Sequence, residues 1–313
     1  MDPQDFTCPA AGRAVKAETG YWAFVPAPLP PPIQYDAPTT LLLSQADAAL
    51  SELSGLGRYL PNPDLLIAPY VKREAVASSR IEGTQADLSD LLLDEIEPKW
   101  TPPGSDVLEV RNYVAALNRG IRDLEKLPLS CRLLRDIHAV LMAGVRGHDK
   151  TPGEFRRSQN WIGPPGCTLA DATYVPPPEH EMKECLTLWE RFLHQRDTMP
   201  ELIQCALIHE HFEAIHPFLD GNGRIGRLLI TLFLIERGRL SKPLLYLSSH
   251  IEQHRADYYA LLQRIRTHGD WPAWIRYFLV AVRDTARSAI DQSQAILNLR
   301  DGFRRRLDKQ HRA

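Results

Sequence analysis

From residue 107 to residue 299, apolar side chains return every third or fourth position. The spacing runs through 108–124, 131–143, 179–195, 202–215, 224–236, 256–266 and 271–299, and it puts each apolar set on one face of an α-helix. A chain patterned this way buries its apolar faces by packing helix on helix, so the fold class is mainly α, a helical bundle. One stretch breaks the rhythm. Between 153 and 178 the apolar runs shrink to Phe155, Trp161 with Ile162, and Tyr174 with Val175, separated by Gly163, Pro164, Pro165 and Gly166. Short runs bounded by Gly and Pro predict a small β-hairpin flap, expected as the only sheet.

The helical spacing also fills 41–93, interrupted at Pro61 and Pro63 and resuming over 65–79, which predicts an N-terminal helical domain. Pro98, Pro102, Pro103 and Gly104 cluster beyond it and mark a loop before a helix that starts near Val107. Ahead of all this, Pro26, Pro28, Pro30, Pro31, Pro32 and Pro38 restrict the backbone and predict an extended surface arm, with a proline-rich ligand for a partner domain as the second reading. The organisation expected is an arm over 1–40, a helical domain over 41–104, a core over 105–285 and a closing helix over 286–313.

At 313 residues the chain can bury a full core, and its 44% hydrophobic and 24% charged residues are those of an average globular domain. A formal net charge of -2 offers no broad attraction to nucleic acid or to a membrane surface, so any polyanion has to be handled locally. The five cysteines, Cys8, Cys131, Cys167, Cys185 and Cys205, form no C-x-x-C pair, which argues against a disulfide framework and for a reducing compartment. The first residues carry no leader-like pattern, and no stretch approaches the roughly 18 apolar residues of a membrane span, so a cytoplasmic protein is expected.

A local cluster suited to a polyanion lies at 216–227, His-Pro-Phe-Leu-Asp-Gly-Asn-Gly-Arg-Ile-Gly-Arg, ahead of an apolar helix of Ile225, Leu228, Leu229, Leu232 and Phe233. Gly221 and Gly223 allow positive φ and close backbone approach, and the unpaired N–H groups of a helix start point at whatever fills the loop. That is an anion-binding arrangement. Arg224 and Arg227, three apart, share a face in the first turn, where the helix dipole disfavours cations, so a bound polyanion is the natural reason for them. Asp220 beside phosphate calls for a bridging divalent cation, and one carboxylate with phosphate oxygens and water is the usual setting of Mg²⁺. Pro217 ends the preceding helix, so His216 can turn into the same loop, where an imidazole of ordinary pKa suits a general base. Singly, each residue reads as a cap, a turn or a solvated charge. Eight matched positions in twelve arise by chance in roughly one chain of this length in 10⁸, so the joint reading prevails.

The segment resembles the signature of the Fic (Fido) family, H-x-F-x-D/E-G-N-G-R-x-x-R, through His216, Phe218, Asp220, Gly221, Asn222, Gly223, Arg224 and Arg227. The resemblance extends to 153–163, 174–178, 257–262 and 269–274, and so covers most of the chain. It implies a protein adenylyltransferase in which His216 deprotonates a Ser, Thr or Tyr hydroxyl of a target protein, or of the chain itself. That hydroxyl would attack the α-phosphorus of ATP and expel pyrophosphate. The resemblance further implies that Asp220 holds Mg²⁺, that Asn222 and the amides from Gly221 to Gly226, with Gly223, Arg224 and Ile225 between them, cradle phosphates, and that Arg224 and Arg227 neutralise the β- and γ-phosphates. Phe218 is implied as a core anchor, and Tyr259 and Leu262 are candidates for the adenine pocket that core packing explains equally well. A target segment is expected to dock on the flap near 153–178 as an added strand, and a second copy of the chain is a further candidate partner.

Upstream, residues 77–83 read Ala-Ser-Ser-Arg-Ile-Glu-Gly and resemble the family's inhibitory motif, [S/T]-x-x-x-E-[G/N], through Ser78, Glu82 and Gly83. Ser78 and Glu82 are four apart and share a helix face, with Gly83 as the helix stop. The resemblance implies that Glu82 forms a two-pronged salt bridge with Arg227 and takes the guanidinium that would hold the γ-phosphate. The enzyme would then be restrained at rest.

Other readings stand beside this one. The loop alone does not distinguish AMP transfer from removal of AMP, or from transfer of phosphate or phosphocholine, as in some relatives of the resembled family. A nucleotide-sensing regulator without turnover, acting on DNA, would draw on Arg304, Arg305 and Arg306, which read as a solvated helix end. A zinc hydrolase is suggested by His209 and His211, but Glu213 stands where H-E-x-x-H needs its second His.

Overall fold

The computed structural model describes residues 1–59, 64–96, 104–164 and 166–310. Its helices are α1 (Ala37–Tyr59), α2 (Asp64–Ile81), α3 (Leu88–Ile96), α4 (Asp106–Asp123), α5 (Cys131–Leu141), α6 (Glu179–Leu193), α7 (Glu201–Ile215), α8 (Asn222–Glu236), α9 (Ser248–Gln253), α10 (Arg255–His268) and α11 (Trp271–Gln310). The mainly α class holds, and each helical segment expected from 108 to 299 is a helix. The added α9 spans six residues, too few to show a period in the sequence. Helices α4 and α5 begin where Ser105 and Ser130 accept hydrogen bonds from the amides of Leu108 and Leu133. Helix α5 then buries Leu133, Leu134, Ile137 and Leu141 on one face.

At the centre lies α7, whose residues from Leu202 to Ile215 are all buried. It packs against α6, α8 and α11, so it needs no polar stripe. Helix α8 lies against α7, and a Cβ on Gly226 would stand only 2.2 Å from the Glu213 carboxylate, so a larger residue there would force that side chain to shift. Helix α1 runs along α11, and α2 packs on α4, α8 and α9, which brings the end of α2 to the start of α8. One continuous core joins residues of α1 and α2 to those of α4 through α8 and α11. The loop expected at 98–104 lies almost wholly outside the described residues. Helix α11 runs unbroken through residue 286. Among the described residues, no helix is long and apolar enough to cross a membrane.

The sheet lies elsewhere than expected. Strands β1 (Gly12–Lys16) and β2 (Trp22–Pro26) pair antiparallel, Ala14 opposite Phe24, within the arm predicted to be extended. Among its described residues, the flap over 153–178 carries a single antiparallel bridge, Ile162 to Tyr174, in place of two strands. The two features are joined. The Phe24 amide donates to the Val175 carbonyl at 2.8 Å, and Phe6, Phe24 and Tyr174 pack ring to ring at 5.2 to 6.3 Å. The arm is thus a packed buttress of the flap, with Ala23 and Phe24 buried.

Candidate active site

Helix α7 ends on His216 in the left-handed region, φ 49°, and α8 begins after Gly221, also left-handed at φ 76°. The loop between them is braced from every side. Asn222 closes it upon itself, accepting from the Phe218 amide and donating to the Phe218 carbonyl, both at 2.8 Å. Asn160 of the flap donates to the same carbonyl at 2.7 Å. His138 of α5 stacks on Phe218 at 3.8 Å, donates to the Asp220 carbonyl and accepts from the Gly153 amide. Phe218 is therefore the core anchor expected, and the Asn222 side chain holds the loop, leaving its backbone amide to meet a ligand.

The first bond inside α8 runs from the Ile225 amide to the Gly221 carbonyl, 3.0 Å. The free N–H groups of the helix start therefore belong to Asn222, Gly223 and Arg224. The Ile225 amide is engaged and its side chain buried, and Gly226 lies within the helix against α7. Neither of these two offers the phosphate-binding amide expected of it. The Gly221 amide donates to the Asp220 carboxylate at 2.7 Å.

An internal anion lies against Gly223 at the start of α8. Helix α2 closes in a glycine-terminated turn in which the Thr84 amide reaches the Ser79 carbonyl and the Gly83 amide the Arg80 carbonyl, with Gly83 at φ 97°. This turn places Glu82 at the helix end. Its carboxylate lies so close to α8 that a Cβ on Gly223 would stand 2.3 Å from it. Arg227, 2% exposed, donates from Nη2 to Glu82 at 2.7 Å and to the Ser78 carbonyl at 2.9 Å, and from Nε to the Ser78 hydroxyl at 2.8 Å. The pair expected to be two-pronged thus splits its fork between Ser78 and Glu82. Burial raises the Glu82 carboxyl, but the charge and hydrogen bond of Arg227, helped by Arg224 and His216, outweigh it and hold the group below its ordinary value.

Arg224 points the other way. It is 3% exposed, reaches the buried Glu109 of α4 at 3.4 Å and Asp220 at 3.8 Å, and its Nε has no hydrogen-bond partner. Asp220 also meets Lys150 at 3.3 Å. Among the described residues, no group of three or more His, Cys, Asp and Glu side chains is gathered to hold a metal. Asp220 is a single, partly exposed carboxylate beside free amides and cations, a donor set that fits Mg²⁺ held largely by phosphate oxygens and water.

His216 is pushed down to about 4 by burial, with the charges of Arg156 and Arg266 adding to the effect. Its imidazole is neutral near pH 7. Nδ1 lies 3.4 Å from the Glu213 carbonyl, which leaves Nε2 with the free lone pair when Nδ1 carries the proton. Arg156, buried in the flap, fixes the backbone around it, donating to the carbonyls of His216 at 3.0 Å, Pro177 at 2.5 Å and Ile215 at 3.4 Å. His209 and His211 are turned to packing: His209 bonds the Gly226 carbonyl and the Tyr258 hydroxyl, and His211 the Ala27 carbonyl.

A cavity of about 490 Å³ opens on this arrangement, and Glu82, His216, Gly223, Arg227, Tyr259 and Leu262 all line it. The two adenine-pocket candidates therefore stand with the loop residues. Sequence reasoning missed Glu109, His138, Lys150, Arg156, Asn160 and Glu213. For Arg156 and Asn160 the signal was their place inside the flap segment already singled out; for the rest the sequence offered none.

Two family models match the chain, the Fic/DOC family N-terminal over residues 40–122 and the Fic/DOC family over residues 128–234. A probable protein adenylyltransferase of Aquifex aeolicus is 26% identical over 170 residues, 54% of this chain and 49% of its own. The protein adenylyltransferase Fic of Nematostella vectensis is 27% identical over 210 residues, 64% of this chain and 44% of its own. The chain thus spans less than half the length of each of these relatives. In fold it is similar to a Fic family protein from Desulfovibrio desulfuricans, with a TM-score of 0.70 at 24% identity over 84% of this chain and 77% of that one. Fic-1 of C. elegans aligns with a TM-score of 0.62 at 19% identity, over 82% of this chain and 74% of its own.

Proposed function

The chain belongs to the Fic/DOC family, and on that premise we propose that it transfers AMP from ATP to a hydroxyl of a protein, in a site closed at rest by Glu82. The observation that carries this reading is the shared cavity, where a neutral His216 faces the same space as Gly223 and Arg227 of α8. The ATP phosphates take the amides of Asn222, Gly223 and Arg224 and the guanidiniums of Arg224 and Arg227. Asp220 would hold Mg²⁺, which when bound supplies positive charge to the α- and β-phosphate oxygens. His216 Nε2 removes the proton of a Ser, Thr or Tyr hydroxyl as its oxygen forms a bond to the α-phosphorus. The bond from that phosphorus to the bridging oxygen breaks, pyrophosphate leaves with its electrons, and the proton stays on the imidazole until solvent takes it.

The Glu82 carboxylate supports the restraint, because it lies against Gly223 at the helix start and on the guanidinium that the phosphates need. With its side chain 31% exposed, Glu82 is reached by solvent from outside the site. The target chain pairs with the flap edge near Ile162, a reading supported by the single bridge that leaves this backbone sparsely paired.

Incubating Glu82→Gly with ATP labelled at the α- or the γ-phosphate tests the chemistry. Protein-bound label is expected from α-labelled ATP alone, and Glu82→Gly with His216→Ala should carry none. Label from the γ-phosphate would mean phosphate transfer, and label that survives His216→Ala would remove the base from the mechanism.

A further inference from the structure

Glu213 has no part in the transfer step, yet it lines the cavity beside His216, Gly223 and Arg227. It is 6% exposed, and its Oε1, packed against Gly226, has no hydrogen-bond partner. Oε1 is sealed from solvent there, so a ligand in the cavity meets the carboxyl only at its remaining surface, and a donor brought to that surface offsets part of the cost of burying the group. Phosphate brings none and is repelled by a carboxylate. The donors of a nucleotide are its ribose hydroxyls and the amino group of its base.

Position on α8 decides between them. Gly223 and Gly226 are three apart and share a face, and each is bare because a carboxylate occupies the space of its Cβ: Glu82 over Gly223, Glu213 over Gly226. Glu82 lies at Gly223, in the turn of α8 that carries the free amides where phosphate belongs. Glu213 lies one step along the same face, about 4.5 Å further from the helix start. The group joined directly to the α-phosphate is the ribose, whereas the base lies beyond it, toward the apolar surfaces of Tyr259 and Leu262 on the same cavity wall.

We infer that Glu213 reads the sugar of the bound nucleotide by accepting a hydrogen bond from its 2′- or 3′-hydroxyl, which rests on the reading of this cavity as the nucleotide site. Burial, offset in part by Arg227, pushes Glu213 up to about 7, so a hydroxyl donor also stabilises the ionised form on binding.

Calorimetric titration of Glu82→Gly with ATP, 2′-deoxy-ATP, 3′-deoxy-ATP and inosine triphosphate, all with Mg²⁺, tests it without requiring turnover. ATP should bind about 10- to 100-fold tighter than at least one deoxy analogue, the range of one hydrogen bond to a charged group. Adding Glu213→Met should bring that preference to within about threefold by weakening ATP alone. Glu213→Gln, which keeps the shape and one acceptor oxygen, should give an intermediate preference and covers the case in which the Met variant does not fold. The inference is overturned by equal binding of ATP and both deoxy analogues, or by a preference that survives both substitutions. A loss confined to inosine triphosphate would overturn it too, since it assigns Glu213 to the base. If Glu82→Gly binds no ATP, the nucleotide reading itself fails, an outcome distinct from all of these.

Discussion

Arg156 and His216 touch only through a backbone carbonyl, yet their charges are coupled. Burial lowers His216 first, and Arg156 and Arg266 push it further, to about 4. Replacing Arg156 with Met removes one of those charges and leaves the carbonyls of Ile215, His216 and Pro177 without their donor. Transfer at saturating ATP should fall by about 10- to 100-fold as the left-handed His216 loses its brace. The acid limb of the pH–rate profile should also move up from about 4 toward 6.5, because His216 takes up a proton more easily. A slower enzyme with an unmoved acid limb would confine Arg156 to holding the backbone. The loop residues were legible in the sequence because their types in that order make little sense apart. Arg156 and Glu213 were not, because charged residues in a sequence read as exposed, and only the fold shows which of them are enclosed.

At the scale of elements, the end of α2 is the part that moves if the restraint is to lift. Gly83 holds it at φ 97°, and a Cβ there would meet nothing within 4 Å, so Gly83→Ala carries a backbone cost alone, about 1–2 kcal/mol. That substitution should loosen the turn that presents Glu82, giving self-labelling above wild type but below Glu82→Gly, measured as incorporation of α-labelled ATP. Labelling equal to wild type would mean that Glu82 is held by Arg227 and not by the turn. Most helices were readable from their periods, α7 included even though it is buried all round. The two strands of the arm were not, because five residues each among prolines show little alternation, and the pairing of Phe24 with Val175 joins segments far apart in sequence. The flap kept only one bridge, since prolines at 164 and 176–178 withhold amide donors from a longer ladder.

At the scale of the whole molecule, four histidines among the described residues are buried in their neutral form. His138, His209, His211 and His216 are each pushed by burial from 6.5 to about 4. Between those values the unfolded chain binds protons that the folded chain refuses, so their contribution makes stability fall as pH drops from about 6.5 to about 4. Glu74, Glu210 and Glu213 act in the opposite sense, since burial raises all three, Glu210 and Glu213 to about 7, and the folded chain then protonates first. Four imidazoles outweigh three carboxyls, and the urea midpoint should be lower at pH 5 than at pH 7. A midpoint equal or higher at pH 5 would contradict the neutral burial of these rings. The same fold that excludes their protons gathers Ser78, Glu82, Gly223 and Arg227 from helices distant in sequence, and the restraint of the site follows from that meeting. Its most direct test is the initial rate of self-labelling from α-labelled ATP, compared between wild type and Glu82→Gly at the same saturating ATP and Mg²⁺. A rate at least about tenfold higher in Glu82→Gly is predicted, the worth of one charge-assisted hydrogen bond on Arg227; equal rates would contradict the claim that Glu82 closes the site.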